Sequence, residues 1–411
     1  MRIVTLGTET TPAQVRELVP AAREVEAAVR EIVEDVRENG DEALRRLTKR
    51  FDGIDLEQLR VPAAEIDAAE RDMDGHLRDA MKEAIANVRT VAQAGLRDVR
   101  RVKLPQGQLV ELDEVPVRRA AAYVPGGRAA YPSTLIMCAV TAAAAGVEEL
   151  AVCAPGAHPL VLAAACLCGV TEVYAVGGAQ AVAALAYGTE TIRPVDVIVG
   201  PGNRYVTEAK RQVAGDVGID GLAGPSELVV VVSEGADPEL VAIDLLAQAE
   251  HGEDSLLCVI TAEEDILRRV LGSVQLLGSS FESVSDAPLA AVLAWDSDRA
   301  VRLADAIAPE HLQLVGDEAE SLSGLVRSAG CLFVGRDAGT AFGDFVAGSN
   351  HVLPTGGAAR FASALSPATF RRRMARVSLP EGAAARLAPA GAALARAEGF
   401  PVHGESMERR A

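Results

Sequence analysis

The 411-residue sequence predicts an α/β protein with two doubly wound, Rossmann-like domains, a helical N-terminal region and a small C-terminal dimerisation tail. Two observations support this prediction. From about residue 118, short apolar runs typical of buried strands alternate with helical stretches, which predicts parallel sheets covered by helices on both faces. These runs are too many for one sheet, so we predict two.

The predicted division of the chain is discontinuous. Residues 1–20 form an N-terminal arm, and residues 21–119 together with 229–364 form the first α/β domain. Residues 120–228 form the second domain, and residues 365–411 form the tail that reaches a partner subunit. No GxGxxG motif follows a predicted strand, so the dinucleotide fingerprint is incomplete.

The N-terminal part of the chain is charged and has a helical period. Residues 29–53 predict a pair of amphipathic helices, broken by the Asn-Gly turn at 39–40. Residues 101–117 lose this period and predict an irregular or hairpin-like segment. Residues 120–127 predict a strand with a Gly-rich turn, and a helix follows over 133–145.

The alternating units then continue through most of the chain. Each combines a buried-type strand with a Gly or Pro turn and usually a helix, at 150–156, 173–188, 195–215, 227–252, 255–271, 290–307 and 331–335. Ligands of doubly wound sheets lie beyond the carboxyl ends of strands. We therefore expect the turns GGAQ, GPGN and AGPSE at those ends, together with PEHL if its preceding helix returns there. The tail after residue 365 is Ala- and Arg-rich and predicts a helical appendage that packs on a partner subunit.

Composition and charge exclude several classes of partner. The formal net charge of −18 argues against binding to nucleic acid or to an anionic membrane surface. The longest apolar run, at 134–147, is shorter than the roughly 20 residues of a membrane-spanning helix, and the N-terminal sequence lacks a signal-peptide pattern. The six cysteines lie in apolar runs without CxxC spacing, which favours a reducing compartment, the cytoplasm.

One of the six histidines stands beside a carboxylate in the segment APEHLQLV. Glu310 and His311 lie where a predicted helix passes into a strand. Adjacent residues cannot share a face inside a regular element, but at a junction they can. Two interpretations remain open for this dipeptide alone: a solvated surface turn, or a pair that transfers protons.

A second polar group ends the predicted helix of 227–252. Asp237 is its N-cap, Pro238 its first residue and Gly252 its C-terminal cap. Gln248 and His251 are three residues apart and share a face of the last turn, which suits two ligands of one metal ion. The alternative is a polar helix end with a histidine near the negative end of the helix dipole.

Two further segments contain candidate ligands. The Gly-rich segment 341–357 has no secondary-structure period and holds Asp344, Asn350 and His351, which fit either a binding cleft or an ordinary Asx turn. The tail segment EGFPVHGES contains Glu398 and His403, which taken alone fit a solvated or structural role. A Gln, an Asp and two His together would form a mixed nitrogen and oxygen site compatible with zinc.

The motifs together resemble the histidinol dehydrogenase family. The resemblance is carried in order by RRLTKRFDG (45–53), AAYVPGG (121–127), AVGGAQAVAALAYGT (175–189), VGPGN through AGPSE (199–227), AQAEHGEDS (247–255), APEHLQL (308–314), GDFVAGSNHVLPTGGAARF (343–361) and EGFPVHGES (398–406). It implies a zinc-dependent homodimer that uses two NAD to oxidise L-histidinol to L-histidine through L-histidinal, the last steps of histidine biosynthesis. It also implies that His311 is the general base and that Glu310 activates water.

The resemblance further implies the binding residues. The zinc ligands are Gln248, His251, Asp344 and His403, the last supplied by the other subunit so that the active sites are shared. The substrate contacts are Ser226, Gln248, His251, His311, Asp344, His351, Glu398 and His403. The NAD contacts are Tyr123, Gln180 and Asn203.

The sequence departs from the family pattern in two places. The segment 335–345 lacks the usual Pro-Glu pair before Gly-Asp, and residues 101–117 lack the expected aromatic residues. Three alternatives to the implied reaction stay open: a dehydrogenase of this scaffold acting on another small polar alcohol, a zinc hydrolase that uses Glu310, and a catalytically silent structural dimer.

Overall fold

The computed structural model describes residues 1–20, 24–126 and 130–411. The predicted boundary at residue 21 and the last residue of the predicted turn, Gly127, lie outside this part of the chain. The strands are β1 (Arg2–Leu6), β2 (Arg100–Lys103), β3 (Leu109–Pro116), β4 (Arg119–Tyr123), β5 (Glu149–Cys153), β6 (Glu172–Tyr174), β7 (Val197–Val199), β8 (Gly218–Ile219), β9 (Glu227–Val232), β10 (Leu256–Thr261), β11 (Pro288–Leu293), β12 (His311–Val315), β13 (Cys331–Val334) and β14 (Arg371–Ser378). The helices are α1 (Pro12–Arg16), α2 (Glu26–Asp52), α3 (Ala63–Asp72), α4 (Gly75–Ala94), α5 (Pro132–Ala145), α6 (Pro159–Leu167), α7 (Gly178–Tyr187), α8 (Arg204–Val213), α9 (Pro238–Ala249), α10 (Glu264–Gly278), α11 (Ser297–Ile307), α12 (Asp317–Ser321), α13 (Thr340–Phe345), α14 (Ala383–Ala397) and α15 (Pro401–Glu408).

One parallel sheet has the strand order β1-β11-β10-β9-β12-β13. Helices α9 and α10 cover one face, and α1 and α11 cover the other. Its central strand β9, with the sequence ELVVVV, is buried along its whole length. A strand covered on both faces must be apolar at successive positions, which explains why the sequence pattern could identify it.

The second parallel sheet has the order β6-β5-β4-β7-β8. Helices α2, α7 and α8 pack on one face, while α4, α5 and α6 pack on the other. Two parallel sheets, each covered by helices on both faces, confirm the predicted α/β class with doubly wound sheets.

The N-terminal third of the chain packs differently from the predicted division. Strand β1 is the edge strand beside β11, so residues 1–20 are part of the six-stranded sheet rather than an arm. Helix α2 packs on α7, α3 on α6 and α4 on α5, so the helices of residues 26–94 cover the five-stranded sheet. Packing therefore joins most of 21–119 to 120–228, not to 229–364. The sequence of an amphipathic helix shows which of its faces is buried. It does not show which sheet that face packs against.

The predicted helical tail contains a strand, which follows a short 3₁₀ helix at Pro367–Phe370. Residues 371–378 form β14, which pairs antiparallel with β3, and β3 pairs with β2. Strands β2 and β3 are the hairpin predicted for 101–117. Strand β14 is almost wholly exposed, and its arginines meet acidic residues of β3, with Arg373 at 3.3 Å from Glu114 and Arg376 at 3.6 Å from Glu111. Whether this segment forms a strand depends on pairing partners that are far away in the sequence. The local composition of the segment does not show those partners.

The predicted helix pair at 29–53 is confirmed as one element with a break. Gly40 has φ 50° and ψ −128°, outside the helical region. The amide of Asp41 donates to the Glu190 carboxylate at 2.8 Å, which supplies an acceptor where the helix is interrupted. A residue with a side chain would be strained at this φ, so glycine fits the position.

The longest apolar run forms a buried helix, as predicted. Ten of the 14 residues of α5 are buried. Across the described residues, no helix has both the length and the apolar character needed to cross a membrane.

Candidate active site

Several residues of the predicted active site, Glu310 and His311 among them, lie at the amino edge of the six-stranded sheet. Glu227 begins β9, His311 begins β12 and Cys331 begins β13, and His311 pairs in register with Leu228 and Cys331. PEHL precedes β12, so the helix before it does not return it to a carboxyl end, and AGPSE lies between β8 and β9 with Glu227 at the amino edge of the six-stranded sheet. GGAQ and GPGN do follow β6 and β7, at the carboxyl edge of the other sheet.

Glu310 is held by its neighbours on β9 and is not a solvated turn residue. It is 7% exposed. Its Oε2 accepts hydrogen bonds from the Ser226 hydroxyl at 2.6 Å and from the Glu227 amide at 2.8 Å. The amide of Glu310 in turn donates to the Glu227 carboxylate at 3.2 Å. The carboxylate therefore has a fixed orientation.

His311 has one partnered nitrogen and one free nitrogen. Its Nδ1 lies 3.0 Å from the carbonyl oxygen of Glu227, to which it donates. Its Nε2 is buried and has no hydrogen-bond partner in the described part of the chain, and Asp344 Oδ1 lies 3.4 Å away. Burial lowers the pKa of His311, but the carboxylates of Glu310 and Asp344 outweigh it and raise the pKa well above its usual value. Two carboxylates thus converge on one imidazole, an excess of negative charge that suits a cation.

Ser226 joins the end of α9 to Glu310. The Gln248 amide nitrogen donates to the Ser226 hydroxyl at 2.6 Å, and that hydroxyl donates to Glu310. Asp237 caps α9 as predicted, but the helix ends at Ala249, and Gly252 has φ 145° and is not its cap. His251 therefore lies in the turn after the helix, exposed to solvent.

Asp344 lies on the short helix α13 and not in an irregular loop as predicted. Its side chain is 18% exposed. Burial raises the pKa of this carboxyl, but the nearby imidazole of His311 and the charges of His351 and His251 lower it by a larger amount, so the net shift is downward. Asp344, His311 and His251 therefore share one electrostatic environment.

His351 uses both ring nitrogens. Its Nδ1 donates to the carbonyl oxygen of Asp344 at 2.7 Å, and its Nε2 lies 3.1 Å from the Thr134 hydroxyl on α5. Burial lowers the pKa of His351 and outweighs the nearby carboxylates. Its neighbour Asn350 donates to the Met137 carbonyl at 3.2 Å, so this segment is anchored on the helix of the five-stranded sheet.

Glu398 and His403 are not brought to the site within one chain. They lie at the end of α14 and in α15, exposed, and His403 packs on Phe400. Among the described residues, no group of three or more His, Cys, Asp or Glu side chains is arranged to hold a metal ion. His251 and Asp344 supply only two such ligands, and Gln248 is of another type.

The predicted NAD residues lie at the carboxyl edge of the five-stranded sheet. Tyr123 ends β4, and its hydroxyl accepts from the amide of Gly178 at 3.0 Å; burial raises its pKa to about 12. Gln180 is in the first turn of α7, and no described residue is a hydrogen-bond partner of its buried side-chain nitrogen. Asn203 is the N-cap of α8, where its side chain accepts from two backbone amides.

Comparisons with known proteins identify the family. A sequence model of histidinol dehydrogenase matches residues 17–411. The histidinol dehydrogenase of Gluconobacter oxydans is 44% identical over 400 residues, covering 94% of this chain and 93% of that protein. The chain belongs to the histidinol dehydrogenase family. A relative from Caulobacter vibrioides with this name is 45% identical over 396 residues, covering 94% and 92%.

The fold agrees with a solved structure of the histidinol dehydrogenase family. The crystal structure of the enzyme from Elizabethkingia anophelis superposes with a TM-score of 0.93 at 30% identity, covering 99% of this chain and 97% of that one. Membership makes this chain an oxidoreductase and confirms the resemblance in its motifs. The roles of individual residues stay predictions.

Sequence reasoning missed three residues that contact this histidinol dehydrogenase site. Glu227 contacts Glu310 and His311, Thr134 contacts His351, and Arg16 reaches Glu227 and the turn before Glu310. A charged residue at the start of the apolar run ELVVVV was the available signal for Glu227. For Arg16 and Thr134 the sequence has no signal, because their contacts span 211 and 217 residues.

Proposed function

We propose that the chain oxidises L-histidinol to L-histidine through L-histidinal with two NAD, the last steps of histidine biosynthesis. Family membership supports the reaction. The observation that carries the proposal is the buried Glu310–His311 pair, which presents a free imidazole nitrogen beside Asp344. We also propose that the enzyme works in the cytoplasm, in keeping with six unpaired cysteines.

His311 removes the hydroxyl proton while the carbinol carbon loses a hydride. The hydrogen bond from Nδ1 to the Glu227 carbonyl fixes the ring and the tautomer, so Nε2 is the nitrogen that takes the proton. No described residue is a hydrogen-bond partner of this nitrogen, which supports the role because a base must be free to contact the substrate.

Glu310 activates water for addition to the aldehyde. Its Oε2 is already engaged by Ser226 and by the Glu227 amide, and among the described residues no hydrogen bond engages Oε1. That oxygen is free to accept a proton from water. The hydrate then loses the second hydride, which completes the four-electron oxidation.

The donors present fit zinc. We propose that Gln248, His251 and Asp344 of one subunit hold it together with His403 of the partner subunit. The Ser226 hydroxyl takes the hydrogen bond of the Gln248 nitrogen, which leaves the amide oxygen as the metal-binding atom. Nitrogen and oxygen ligands of this kind suit zinc, which would hold the substrate so that its carbinol carbon is fixed. His351 and Glu398 would contact the substrate as well.

The residues at the carboxyl edge of the five-stranded sheet fit NAD. Gln180 offers a buried nitrogen that no described residue engages, and the N-terminal ends of α7 and α8 favour phosphate groups. We propose that Tyr123, Gln180 and Asn203 bind this cofactor, which accepts the hydride.

We propose a homodimer with shared active sites. Phe342 and Phe345 flank Asp344, and Phe400 and Val402 flank His403; each is more than half exposed. Apolar side chains exposed around both halves of an incomplete polar site are typical of a surface that a partner covers.

The reaction is tested by measuring NADH formed from limiting L-histidinol with excess NAD, before and after treatment with a chelator. We expect two NADH per histidinol, lost on chelation and restored by zinc. NADH formed only from another small polar alcohol would instead support a different dehydrogenase of this scaffold. Hydrolysis without NADH would support a zinc hydrolase.

Shared sites are tested by mixing inactive variants. In a heterodimer of H311N and H403N, one site keeps His311 from one subunit and His403 from the other, so random exchange should restore about a quarter of the active sites. The control mixes H311N with H251N, which leaves both sites defective and should restore nothing. No recovery in the first mixture, with heterodimers verified by two tags, would refute the shared site.

A further inference from the structure

We propose that Arg16 and Glu227 are positioning residues that hold the Glu310–His311 turn in its working conformation, a role that rests on the proposed function of that pair. Arg16 lies at the end of α1, one residue before the segment that the family model matches. Its guanidinium donates to the Glu227 carboxylate at 2.8 Å and to the carbonyls of Ile307 and Ala308. One side chain thus contacts both segments that form the site.

The turn before Glu310 requires such support. Ala308 ends α11 with φ 52°, a left-handed conformation that is unfavourable for a residue with a side chain. The carbonyls at the end of a helix also lack partners within the helix. Arg16 supplies donors to two of them, at the point where the backbone turns toward Pro309 and the catalytic pair.

Glu227 links Arg16 to Glu310 and His311 through hydrogen bonds. Its carboxylate accepts from Arg16 and from the amides of Gly356 and Glu310. Its own amide donates to Glu310 Oε2 at 2.8 Å, and its carbonyl accepts from His311 Nδ1 at 3.0 Å. Backbone and side chain of one residue therefore set the orientation of both catalytic groups.

The positive charge of Arg16 also compensates the buried carboxylate of Glu227. The Glu227 side chain is only 6% exposed, and Arg16 is the cation paired with it. Without Arg16, a buried carboxylate would remain uncompensated beside the carboxylate of Glu310. We expect the two carboxylates to separate, which would move Glu310 and, through the Glu227 carbonyl, the ring of His311.

Helix α1 is itself fixed, so Arg16 is placed before substrate arrives. Thr11 and Gln14 form a capping box at its start, and Val15 is fully buried against α11. Strand β1 anchors the preceding residues in the sheet. The elements that precede Arg16 therefore hold it in place, and we propose that this segment acts on the catalytic pair only through Arg16.

The test compares R16A and R16K with R2A in the full-length, zinc-loaded protein. Arg2 is the matched control, because it lies in the same segment and makes one exposed hydrogen bond, to the Leu18 carbonyl at 3.4 Å. Hydrogen exchange of a peptide spanning 305–312 reports the turn without any substrate. We expect faster exchange at residues 308–311 in R16A, a smaller change in R16K and none in R2A.

Oxidation of L-histidinol and of L-histidinal is measured separately on the same variants. We expect kcat to fall about 10- to 100-fold in R16A with little change in KM, since a shift of under an ångström has effects of this size. The two reactions should fall by different factors, because one depends on His311 and the other on Glu310. Added guanidinium ion should restore part of the activity of R16A.

A merely structural role gives a different result. Loss of folded protein lowers both rates by one factor and leaves KM and exchange at 308–311 of the folded fraction unchanged, and that outcome would overturn the proposal. If R16A does not fold, E227Q keeps the shape of the pair and should show the same unequal losses. Altered exchange at 308–311 in a protein that does not oxidise histidinol would support the positioning pair and refute the proposed function alone.

Discussion

Ser226 allows a quantitative test of the site. Its hydroxyl accepts from Gln248 and donates to Glu310, both at 2.6 Å. The S226A substitution removes both hydrogen bonds and leaves the amide of Gln248, which is 2% exposed, without an acceptor. Hydrogen bonds to charged groups contribute about 1.5–3 kcal/mol, and an unsatisfied buried donor costs about 1–3 kcal/mol. Because the two effects share one atom, we expect a loss of about 2–4 kcal/mol in the free energy of unfolding.

The chain contains a matched control for this substitution. Ser255 is 1% exposed and lies just before β10 at the same edge of the sheet. Its buried hydroxyl has no hydrogen-bond partner among the residues that the structure describes. S255A deletes the same atom but no hydrogen bond, so its stability should stay within about 1 kcal/mol of wild type. The difference in the free energy of unfolding between the two variants therefore measures the contribution of the Gln248–Ser226–Glu310 hydrogen bonds, because both variants lose a buried oxygen.

The assay is urea denaturation of both variants at one protein concentration in the presence of a chelator, so that metal binding and association do not contribute differently. Activity is measured afterwards with zinc restored. S226A should also lose aldehyde oxidation, because Glu310 is no longer held by the hydroxyl. Equal stability of S226A and S255A, within about 0.5 kcal/mol, would show that the Ser226 hydrogen bonds are absent in solution.

Three further predictions address the two sheets and the base. G200A should be less stable than G215A by about 1–3 kcal/mol in urea titrations, because both glycines have positive φ but only a Cβ at Gly200 would overlap the backbone at the end of β4. Burial raises the pKa of Glu172, but the hydrogen bond with Arg119 lowers this pKa by a larger amount, so the net shift is downward. The Glu172–Arg119 pair therefore stabilises the fold above the unfolded-state pKa of ~4.3 and loses this effect as pH falls through the lower folded-state pKa. E172Q should accordingly be less stable than wild type at neutral pH, with a difference that shrinks in acid. H311N should lose about 10²–10⁴-fold in NADH formation from histidinol at unchanged zinc content, by metal analysis; equal activity would exclude His311 as the base.

Local patterns in the sequence predicted much of the architecture. The run ELVVVV predicted a strand buried on both faces, and Asp237 with Pro238 predicted the start of α9. The Asn-Gly turn at 39–40 predicted the break in α2. Each of these features depends on residues close together in the sequence, where steric limits and hydrogen bonding act directly.

The errors lie where distant partners decide the structure. Strand β1 was taken as part of an arm, although it pairs with β11 some 280 residues later. Strand β14 is rich in exposed arginine, and its pairing with β3 depends on acidic residues more than 250 positions away. Pro309 and Glu310 precede β12, so PEHL lies at the amino edge of the sheet. This position was not predicted, because the sequence does not show which end of a sheet a loop borders.

By itself the sequence determined the fold class, the order of the motifs, the family and the identity of the candidate catalytic and ligand residues. Only the tertiary structure decided how the atoms of those residues are used. It directs Nδ1 of His311 to the Glu227 carbonyl, engages one oxygen of Glu310 and brings Arg16 to the turn at Ala308. It also leaves His403 away from the other proposed ligands within one chain. The physical reason is that a motif specifies which groups are present, whereas their orientation depends on hydrogen bonds between segments that meet only in the folded chain.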